Sequence, residues 1–325
     1  MDLMNQTNRR KKIRSAVKWI LWVLLVQFVL INISGILYGY QLTHFYEASL
    51  KSPAPSSKNI FVKTWKLFRG PKFQKTVIAE FPHFPYETVH LLTKRGLFIE
   101  AWYIPRDSSK GTVILFHGLG GNKSLLLGQA YEFMYAGFNV MLVDLRAHGN
   151  SEGNTTTLGV TESEEVKLAF DHIFKTGERN IVLYGLSLGA VVITKAIYDY
   201  NLSPSKVILD MPFGNLKNLL EGRARVLGFP EEPFGLLVTF WSGVERGFNG
   251  FDHNTCRYVK KIKCPVLLQY GSSDKLVTRQ ETNSIFKNIA SREKKLVLYE
   301  TAGHEPFLNK DPVKWRKEAS DFLLR

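Results

Sequence analysis

The pentapeptide Gly185-Leu186-Ser187-Leu188-Gly189 constrains the fold of this chain more than any other feature, because it joins two segments of different secondary-structure preference. The run before it, residues 180–184, is mostly apolar and predicts a buried strand. The run after it, residues 190–197, predicts a helix. Glycines two residues before and after Ser187 remove the Cβ atoms that would collide where strand and helix cross. The sequence therefore predicts a tight strand-to-helix turn that presents the Ser187 hydroxyl at the edge of a sheet.

Short apolar runs, rich in β-branched residues, recur along the chain, and helical patterns separate most of them. Such runs are typical of parallel strands that are buried on both faces. Strands are predicted over residues 112–116, 139–143, 181–184, 206–209, 266–270 and 295–299, with a hairpin over residues 88–104 and helices over residues 161–175 and 279–291. This alternation predicts an α/β fold with a mostly parallel sheet and helices on both faces.

One long connection interrupts the alternation between the strand that ends at Asp210 and the strand that begins near Pro265. It contains two apolar segments with helical patterns, residues 216–227 and 233–244. A connection of this length is usually functional, for example as an active-site lid. We therefore predict a cap insertion over residues 211–263, the alternative being a helical insertion that only covers the edge of the sheet.

Three side chains of complementary chemistry follow three of the predicted strands. Ser187 lies in the turn after one strand, Asp274 in the loop after the next-to-last strand, and His304 after the last. Because the carboxyl ends of parallel strands share one edge of a sheet, we expect these side chains to meet there. A histidine that takes the serine proton, oriented by a carboxylate, forms a catalytic triad. Asp210, which also ends a strand, is the alternative acid.

Backbone N–H groups are predicted to bind the oxyanion that such chemistry produces. Leu188 N–H lies at the start of the helix after the serine. Leu119 N–H lies in the glycine-rich loop after residues 112–116, where a backbone can approach a substrate oxygen closely. We predict these two groups as the oxyanion hole, and we interpret the nearby segment 144–148 as a structural turn.

Five motifs occur in an order that is specific as a set: His117-Gly118-x-x-Gly121, Asp144-x-Arg146-x-His148-Gly149-x-Ser151, Gly185-x-Ser187-x-Gly189, Gly271-x-x-Asp274-x-x-Val277 and Gly303-His304. With them, residues 86–325 resemble the α/β-hydrolase superfamily, and within it the membrane-anchored and monoacylglycerol-lipase-like serine hydrolases of serine aminopeptidase type. The resemblance implies an eight-stranded, mostly parallel sheet with a small helical cap. Serine at the turn argues against the branches that use aspartate there, the epoxide hydrolases and dehalogenases.

An uncharged run of 22 residues, 19–40, precedes this region and predicts one transmembrane helix. Aromatic residues at both ends of the run are typical of membrane interfaces, and the basic residues cluster before it. By the positive-inside rule, residues 1–18 are cytoplasmic and the hydrolase domain is extracytoplasmic. A cleaved signal peptide is the alternative, although the run is long for one and no small-residue cleavage site follows. A buried core helix is disfavoured by apolar residues on every face.

Residues 41–85 are predicted to connect the membrane segment to the hydrolase domain. The polar, proline-bearing stretch 51–58 indicates a stiff linker. Beyond it, Phe61, Trp65 and Phe68 fall at helical spacing among basic residues. This short helix is expected either to lie on lipid headgroups or to pack against the hydrolase domain, and the sequence leaves both open.

The formal net charge of +14 favours contact with an anionic membrane surface, because six of the first 18 residues are basic and one is acidic. No nucleic-acid-binding module or aromatic-basic platform is recognisable, so nucleic acid is disfavoured as a partner. No His/Cys cluster has metal-ligand spacing, and no cofactor is expected. Cys256 and Cys264 are too few for a disulfide framework, although a single bridge between them stays open.

These features predict a membrane-anchored serine hydrolase that cleaves carboxylic esters through an acyl-enzyme intermediate. The cap is rich in Phe, Leu and Trp, which favours a lipid or lysolipid ester as substrate. One alternative is a peptidase of the serine aminopeptidase type, in which Glu231 and Glu232 hold the amino terminus of the substrate. Another is a non-catalytic, hydrolase-like binding module. The substrate, acyl-chain length, ester or amide preference and oligomeric state are left open by the sequence.

Overall fold

The computed structural model describes residues 2–47 and 59–324, so the predicted linker 51–58 lies outside the described residues. The helices are α1 (Asp2–Thr43), α2 (Ile60–Arg69), α3 (Leu127–Tyr135), α4 (Ser163–Lys175), α5 (Leu188–Tyr200), α6 (Leu216–Leu227), α7 (Glu231–Arg246), α8 (Thr255–Tyr258), α9 (Arg279–Asn288), α10 (Phe307–Lys310) and α11 (Pro312–Leu324). The strands are β1 (Phe45–Tyr46), β2 (Phe73–Gln74), β3 (Glu87–Leu92), β4 (Phe98–Ile104), β5 (Thr112–Phe116), β6 (Asn139–Val143), β7 (Ile181–Leu186), β8 (Lys206–Asp210), β9 (Val266–Gly271) and β10 (Lys294–Tyr299).

Eight of these strands form one sheet in the order β10-β9-β8-β7-β5-β6-β4-β3. Every neighbouring pair is parallel except β3–β4 and β4–β6. The predicted fold class is therefore confirmed, and each strand predicted from the sequence is present within two residues of its expected bounds.

Strand β5 shows why the sheet is buried on both faces. Its side chains alternate between two hydrophobic clusters, with Ile114 and Phe116 in one and Val113 and Leu115 in the other, all fully buried. Alternation follows from the two-residue period of a strand. Such a strand needs helices on both sides, and it lies beside β7 at the middle of the sheet, where it supports the turn that follows β7.

The cap predicted between β8 and β9 contains α6, α7 and α8, and the end of α1 packs along α7. Two glycines of α1 permit this approach. A Cβ on Gly35 would lie 3.0 Å from Trp241 Cδ1, and a Cβ on Gly39 would lie 3.0 Å from the backbone nitrogen of Ser242. Small residues four apart lie on one face of a helix and let a second helix come close. The cap therefore rests against the end of the long N-terminal helix.

Helix α1 extends beyond the predicted transmembrane run at both ends. Within the described residues, the stretch Asn8–Thr43 is long and apolar enough to cross a membrane, by length and composition. The side chains of residues 8–31 are exposed, whereas those near the end of α1 are largely buried against the cap. One helix thus combines an unpartnered apolar part with a part that belongs to the packed domain.

The helix predicted around Trp65 is present as α2, beside α1. The Ser34 hydroxyl donates a hydrogen bond to the carbonyl oxygen of Phe68, 2.7 Å away. Phe61 and Trp65 remain exposed, so α2 does not turn these aromatic side chains toward the hydrolase domain. The parallel pairing of Phe45 in β1 with Phe73 in β2 ties the ends of α1 and α2 together.

The two cysteines are free thiols. Burial raises the pKa of Cys264 to about 12, as expected for a thiol that packs partly buried against the hydrophobic core. The bridge between Cys256 and Cys264 that the sequence left open is not formed.

Candidate active site

Ser187 occupies the strand-to-helix turn in the conformation that the glycine pattern predicts. Its backbone has φ 52° and ψ −109°, outside the regions that side chains ordinarily adopt. A Cβ on Gly185 would lie 2.4 Å from the nitrogen of Ala190, and a Cβ on Gly189 would lie 2.1 Å from the carbonyl oxygen of Phe116. The glycines are therefore sterically required, and the turn holds Ser187 at the edge of the sheet.

The structure brings Ser187, His304 and Asp274 together. His304 Nε2 lies 2.8 Å from Ser187 Oγ, and His304 Nδ1 lies 2.7 Å from Asp274 Oδ2. Ser187 and His304 are separated by 117 positions in the sequence. Such a chain of hydrogen bonds can move a proton from the hydroxyl to the imidazole while the carboxylate stabilises the resulting cation.

The loop after β9 holds the Asp274 carboxylate in a fixed position. Asp274 Oδ1 accepts hydrogen bonds from the backbone N–H groups of Leu276, at 2.7 Å, and Val277, at 3.0 Å. The carboxylate is fully buried, whereas 22% of the His304 side chain is exposed. A Cβ on Gly271 would lie 2.5 Å from the carbonyl oxygen of Gly303, so a glycine is needed where the acid loop passes the histidine loop. One oxygen is thus held by the backbone and the other faces His304.

The glycine-rich loop after β5 lies directly beside the serine. A Cβ on Gly118 would be 3.5 Å from Ser187 Cβ. Neither Leu119 N–H nor Leu188 N–H donates to another described residue, so both donors are available to a ligand. The sequence predicts these two groups as the oxyanion hole, and that assignment stays a prediction.

Two buried, neutral histidines shape this loop. His148 Nε2 accepts a hydrogen bond from Gly120 N–H at 3.0 Å, while its Nδ1 contacts the carbonyl oxygen of Arg146 at 2.8 Å. His117 Nε2 accepts from Leu145 N–H at 3.1 Å. Burial lowers the pKa of His117 to about 4 and that of His148 to about 3. An uncharged imidazole ring has one nitrogen that can accept a hydrogen bond from a backbone N–H group. The two histidines accept such bonds from Gly120 and Leu145 and so hold the loop in position.

The segment 144–148 is a structural turn, as interpreted from the sequence. Asp144 Oδ2 lies 2.5 Å from the ammonium group of Lys123, whose Nζ also lies 2.8 Å from Glu100 Oε1. Lys123 is fully buried in this network. Sequence reasoning missed Lys123, because lysine is seldom buried and only its buried carboxylate partners mark it. The network anchors the chain just after the glycine-rich loop.

The alternative acid, Asp210, makes no contact with His304. Its carboxylate accepts hydrogen bonds from Tyr184 OH at 2.7 Å and from Gln269 Nε2 at 2.8 Å, in the fully buried core. Burial raises its pKa to about 6. Its backbone oxygen accepts from Ser187 N–H at 2.8 Å, so its contact with the site is made by the main chain.

No cluster of three or more His, Cys, Asp or Glu side chains is arranged to hold a metal ion within residues 2–47 and 59–324. His253 in the cap is also a buried structural group. Its ring nitrogens lie 3.1 Å from Tyr258 OH and 3.1 Å from the carbonyl oxygen of Leu158.

Comparisons with known proteins place this arrangement in context. A family model described as "Serine aminopeptidase, S33" matches residues 107–230 and 252–311, more than half of the chain. "Uncharacterized protein YqkD" of Bacillus subtilis is 25% identical over 70% of this chain and 76% of its own length. "Lysophosphatidylserine lipase ABHD12" of Danio rerio is 27% identical over 60% of this chain, which spans about half of that protein (51%). Among solved structures, the Pyrococcus furiosus esterase Pf2001 has a TM-score of 0.67 at 24% identity, covering 77% of this chain and 96% of the esterase, and shows the α/β-hydrolase fold.

Proposed function

The chain belongs to the serine aminopeptidase family of the α/β-hydrolase superfamily, and from this premise we propose that it is a membrane-anchored serine hydrolase that cleaves carboxylic esters. The observation that carries the proposal is the position of His304, whose two ring nitrogens lie within 2.8 Å of Ser187 Oγ and Asp274 Oδ2. Among the described residues, no other side chain is hydrogen-bonded to both groups.

The proposed reaction runs in two halves. Ser187 Oγ attacks the carbonyl carbon of the ester while His304 Nε2 takes the hydroxyl proton, and the carbonyl oxygen becomes an oxyanion bound by Leu119 N–H and Leu188 N–H. The carbon–oxygen bond to the alcohol breaks, the alcohol leaves with the proton from His304, and the acyl group stays on Ser187. Water then attacks the acyl-enzyme, giving its proton to His304, which returns it to Ser187 Oγ as the carboxylic acid leaves. Asp274 stabilises the imidazolium throughout.

A lipid ester is the substrate class that we favour. Exposed apolar side chains cover the outer surface of α1 before the cap, and Phe61 and Trp65 are exposed on α2 beside it. Both features support contact with a bilayer. A related protein carries the name of a lysophosphatidylserine lipase. An enzyme held at the bilayer by α1 has its substrates concentrated there.

The same helix supports an anchor over a cleaved signal peptide. Arg246 of the cap donates a hydrogen bond to Thr43 Oγ1 at 2.7 Å, and Phe45 just beyond α1 is buried. Cleavage after the apolar run would remove Gly35 and Gly39, which pack against the cap, together with the span. With the basic cluster before the span, we propose a cytoplasmic N-terminus and an extracytoplasmic hydrolase domain.

The peptidase alternative rests on the family description and on Glu231 and Glu232. Glu231 pairs with Arg225 at 2.8 Å, and Glu232 pairs with Lys217. Both carboxylates are thus neutralised on the surface of the cap, which leaves them poorly suited to a substrate amino terminus.

Labelling and turnover together test the proposal. A fluorophosphonate probe is expected to label the folded wild-type protein and not Ser187→Ala. The wild type should hydrolyse p-nitrophenyl esters without cleaving aminoacyl anilides. Cleavage of the anilides at comparable rates would establish the peptidase instead, and a folded protein that is not labelled would establish a non-catalytic module.

A further inference from the structure

Thr76 lies in the segment that connects α2 to the hydrolase domain, two residues after the short strand β2. The family model begins at residue 107, so Thr76 precedes the part of the chain that matches it. Its hydroxyl nevertheless donates a hydrogen bond to the carbonyl oxygen of Gly120, in the glycine-rich loop beside Ser187. A segment outside the family match therefore contacts the loop that carries the predicted oxyanion donor, Leu119.

The position of Thr76 is fixed by its neighbours. Lys75 N–H donates to the carbonyl oxygen of Tyr46 at 2.8 Å, which continues the parallel pairing of β1 with β2. The Lys75 ammonium group donates to the carbonyl oxygen of Ser151 at 3.2 Å. Asn122, which is fully buried, donates from its amide group to the carbonyl oxygen of Thr76 at 3.1 Å. Thr76 is thus held between β1 and the residue that follows the glycine-rich loop.

Two peptide groups connect the Thr76 hydroxyl to the Leu119 N–H. The first joins Gly120 to Gly121: its oxygen accepts from Thr76, and its N–H donates to the carbonyl oxygen of Gly118 at 3.0 Å. The second joins Gly118 to Leu119, so it carries that carbonyl oxygen and the Leu119 N–H. No other described residue accepts a hydrogen bond from the Leu119 N–H. The hydrogen-bond chain therefore runs from the hydroxyl to the predicted oxyanion donor and ends there.

A second donor reinforces this chain at Gly118. His117 Nδ1 lies 2.8 Å from the carbonyl oxygen of Gly118. Because Nε2 of the same neutral ring accepts from Leu145 N–H at 3.1 Å, the ring proton is on Nδ1, which donates to that oxygen. Hydrogen bonds in a chain polarise and strengthen one another. The Leu119 N–H is thus both oriented and made a stronger donor by the groups behind it.

The opposite side of the loop is held by His148. Gly120 N–H donates to His148 Nε2 at 3.0 Å, and the His148 ring centre lies 4.5 Å from that of Phe45 in β1. Gly120 has φ 77°, a conformation that glycine adopts at little cost. Thr76 and His148 therefore hold Gly120 by its carbonyl oxygen and by its N–H, and Leu119 directly precedes it.

We propose that Thr76 is a positioning residue for the oxyanion hole, because its hydroxyl orients and polarises the Leu119 N–H through two peptide groups. The inference rests on the proposed function, since it assigns a role at that same serine with Leu119 as the oxyanion donor. Thr76 acts on the donor, and the donor binds the carbonyl oxygen as negative charge develops there. The segment between the membrane helix and the hydrolase domain is then part of the support of the active site.

The role is tested with two substrates that differ in one atom. They are p-nitrophenyl acetate and its thiono analogue, in which sulfur replaces the carbonyl oxygen. Because sulfur accepts hydrogen bonds weakly, the thiono ester gains less from the oxyanion donors. The ratio of the two kcat/KM values, oxygen ester over thiono ester, therefore measures what those donors contribute. A loss of folded protein lowers both values equally and leaves the ratio unchanged.

Three variants of the full chain, measured in detergent, separate the hydroxyl from its surroundings. Thr76→Val is expected to lower kcat/KM for the oxygen ester by about tenfold, mostly in kcat, and the ratio by about fivefold. Thr76→Ser retains a hydroxyl and should keep the ratio within about twofold of wild type. The control is Thr255→Val, which removes a hydroxyl that donates to the carbonyl oxygen of Phe213 at 2.7 Å, and it should leave the ratio unchanged.

A backbone variant tests the chain without changing Thr76. Replacing Gly121 with glycolic acid converts the peptide group into an ester and removes the N–H that donates to Gly118. The ratio should fall as it does in Thr76→Val. If Thr76→Val does not fold, this variant decides the matter.

An unchanged ratio in either Thr76→Val or the glycolic acid variant would overturn the inference while leaving the hydrolase intact. A ratio in Thr76→Ser as low as that in Thr76→Val would also overturn it, because the hydroxyl would then not be the group that matters. The proposed function fails separately, when wild-type protein neither reacts with fluorophosphonate nor hydrolyses p-nitrophenyl acetate.

Discussion

The indole Nε1 of Trp241 donates a hydrogen bond to Asn32 Oδ1 over 3.2 Å and so joins the cap to the N-terminal helix across 209 positions of sequence. The Asn32 amide group also donates to the carbonyl oxygen of Phe28, 2.9 Å away. A polar residue within an apolar helix is costly unless its groups are paired. Here the pairing lies where α1 meets α7, so the polar side chain fixes the register of the two helices.

Disrupting this contact should loosen the cap. A Cβ added at Gly39 would lie 3.0 Å from the backbone nitrogen of Ser242. The larger side chain in Gly39→Leu is therefore expected to push α1 away from α7 and to lower the free energy of unfolding by about 1–3 kcal/mol. Hydrogen exchange of residues 235–246, measured by mass spectrometry in detergent, should become faster. The exposed position Ala16 on the same helix provides the control, Ala16→Leu. Unchanged exchange in Gly39→Leu would show that the packing of α1 on α7 contributes little to the order of the cap.

Replacing the Asp274 carboxylate should lower the catalytic rate more than it lowers the free energy of unfolding. In Asp274→Asn the two backbone hydrogen bonds to Leu276 and Val277 can be kept, but the amide no longer stabilises a protonated His304. We expect kcat on p-nitrophenyl butyrate to fall by about a thousandfold or more. Asp210→Asn, at the alternative acid, should keep kcat within a few fold of wild type, whatever its effect on stability. If the two variants exchanged these outcomes, Asp210 would be the acid of the triad.

The glycine-rich loop 117–121, which carries the proposed oxyanion donor Leu119, should depend on the acceptor that His148 supplies. His148→Phe leaves the Gly120 N–H without its partner, at a cost of about 1–3 kcal/mol. Because Leu119 precedes Gly120, displacement of the loop should lower kcat by about ten- to a hundredfold, with a smaller change in KM. His148→Gln retains an acceptor and should be less impaired. His172→Phe, a half-buried histidine on α4, is the control for loss of an imidazole and should retain wild-type kcat.

The free energy of unfolding should fall at acid pH because buried neutral histidines would have to be protonated. His253 is the residue at which this effect can be measured. Burial lowers the pKa of His253 in the folded protein to about 4, with Lys195 also lowering it, against about 6.5 in the unfolded chain. Between these values only the unfolded chain binds the proton, so this contribution to stability is complete above pH 6.5 and is lost as the pH falls toward 4.

His253→Gln removes the contribution that depends on pH. The variant is expected to have a lower free energy of unfolding than the wild type at pH 7. The difference between the two free energies should be smaller by about 2 kcal/mol at pH 5 than at pH 7. Urea unfolding in detergent, followed by tryptophan fluorescence at both pH values, measures the difference. A deficit that does not change with pH would show that His253 takes up its proton equally in the folded and unfolded chain.

Much of the fold could be predicted because its signals are local. Strand β5 is predicted over residues 112–116 and occupies those residues, since a short apolar run rich in β-branched residues favours a strand that is buried on both faces. Ser187 could be located from its own pentapeptide, because Gly185 is required by a contact with Ala190, although Gly189 is required by the carbonyl oxygen of Phe116 on the neighbouring strand. Ser187, Asp274 and His304 follow β7, β9 and β10. Because these strands are parallel, the three residues lie at the same edge of the sheet in that order.

The structure was needed for residues whose partners are distant in sequence. Nothing near Lys123 indicates that it is buried, because its carboxylate partners lie on β4 and just after β6. The exposure of Phe61 and Trp65 likewise depends on how α2 lies beside α1.

The amino-acid sequence by itself determined the alternation of strands and helices, the position of the serine turn and the uncharged span, because each is marked by residues close together in the chain. Tertiary structure alone decided that the end of α1 packs on the cap and that neutral His117 and His148 hold the glycine-rich loop after β5 and the turn after β6. The physical reason is that burial and charge pairing depend on which segments of the chain are in contact in the folded protein. The local pattern of apolar and polar residues does not specify those contacts.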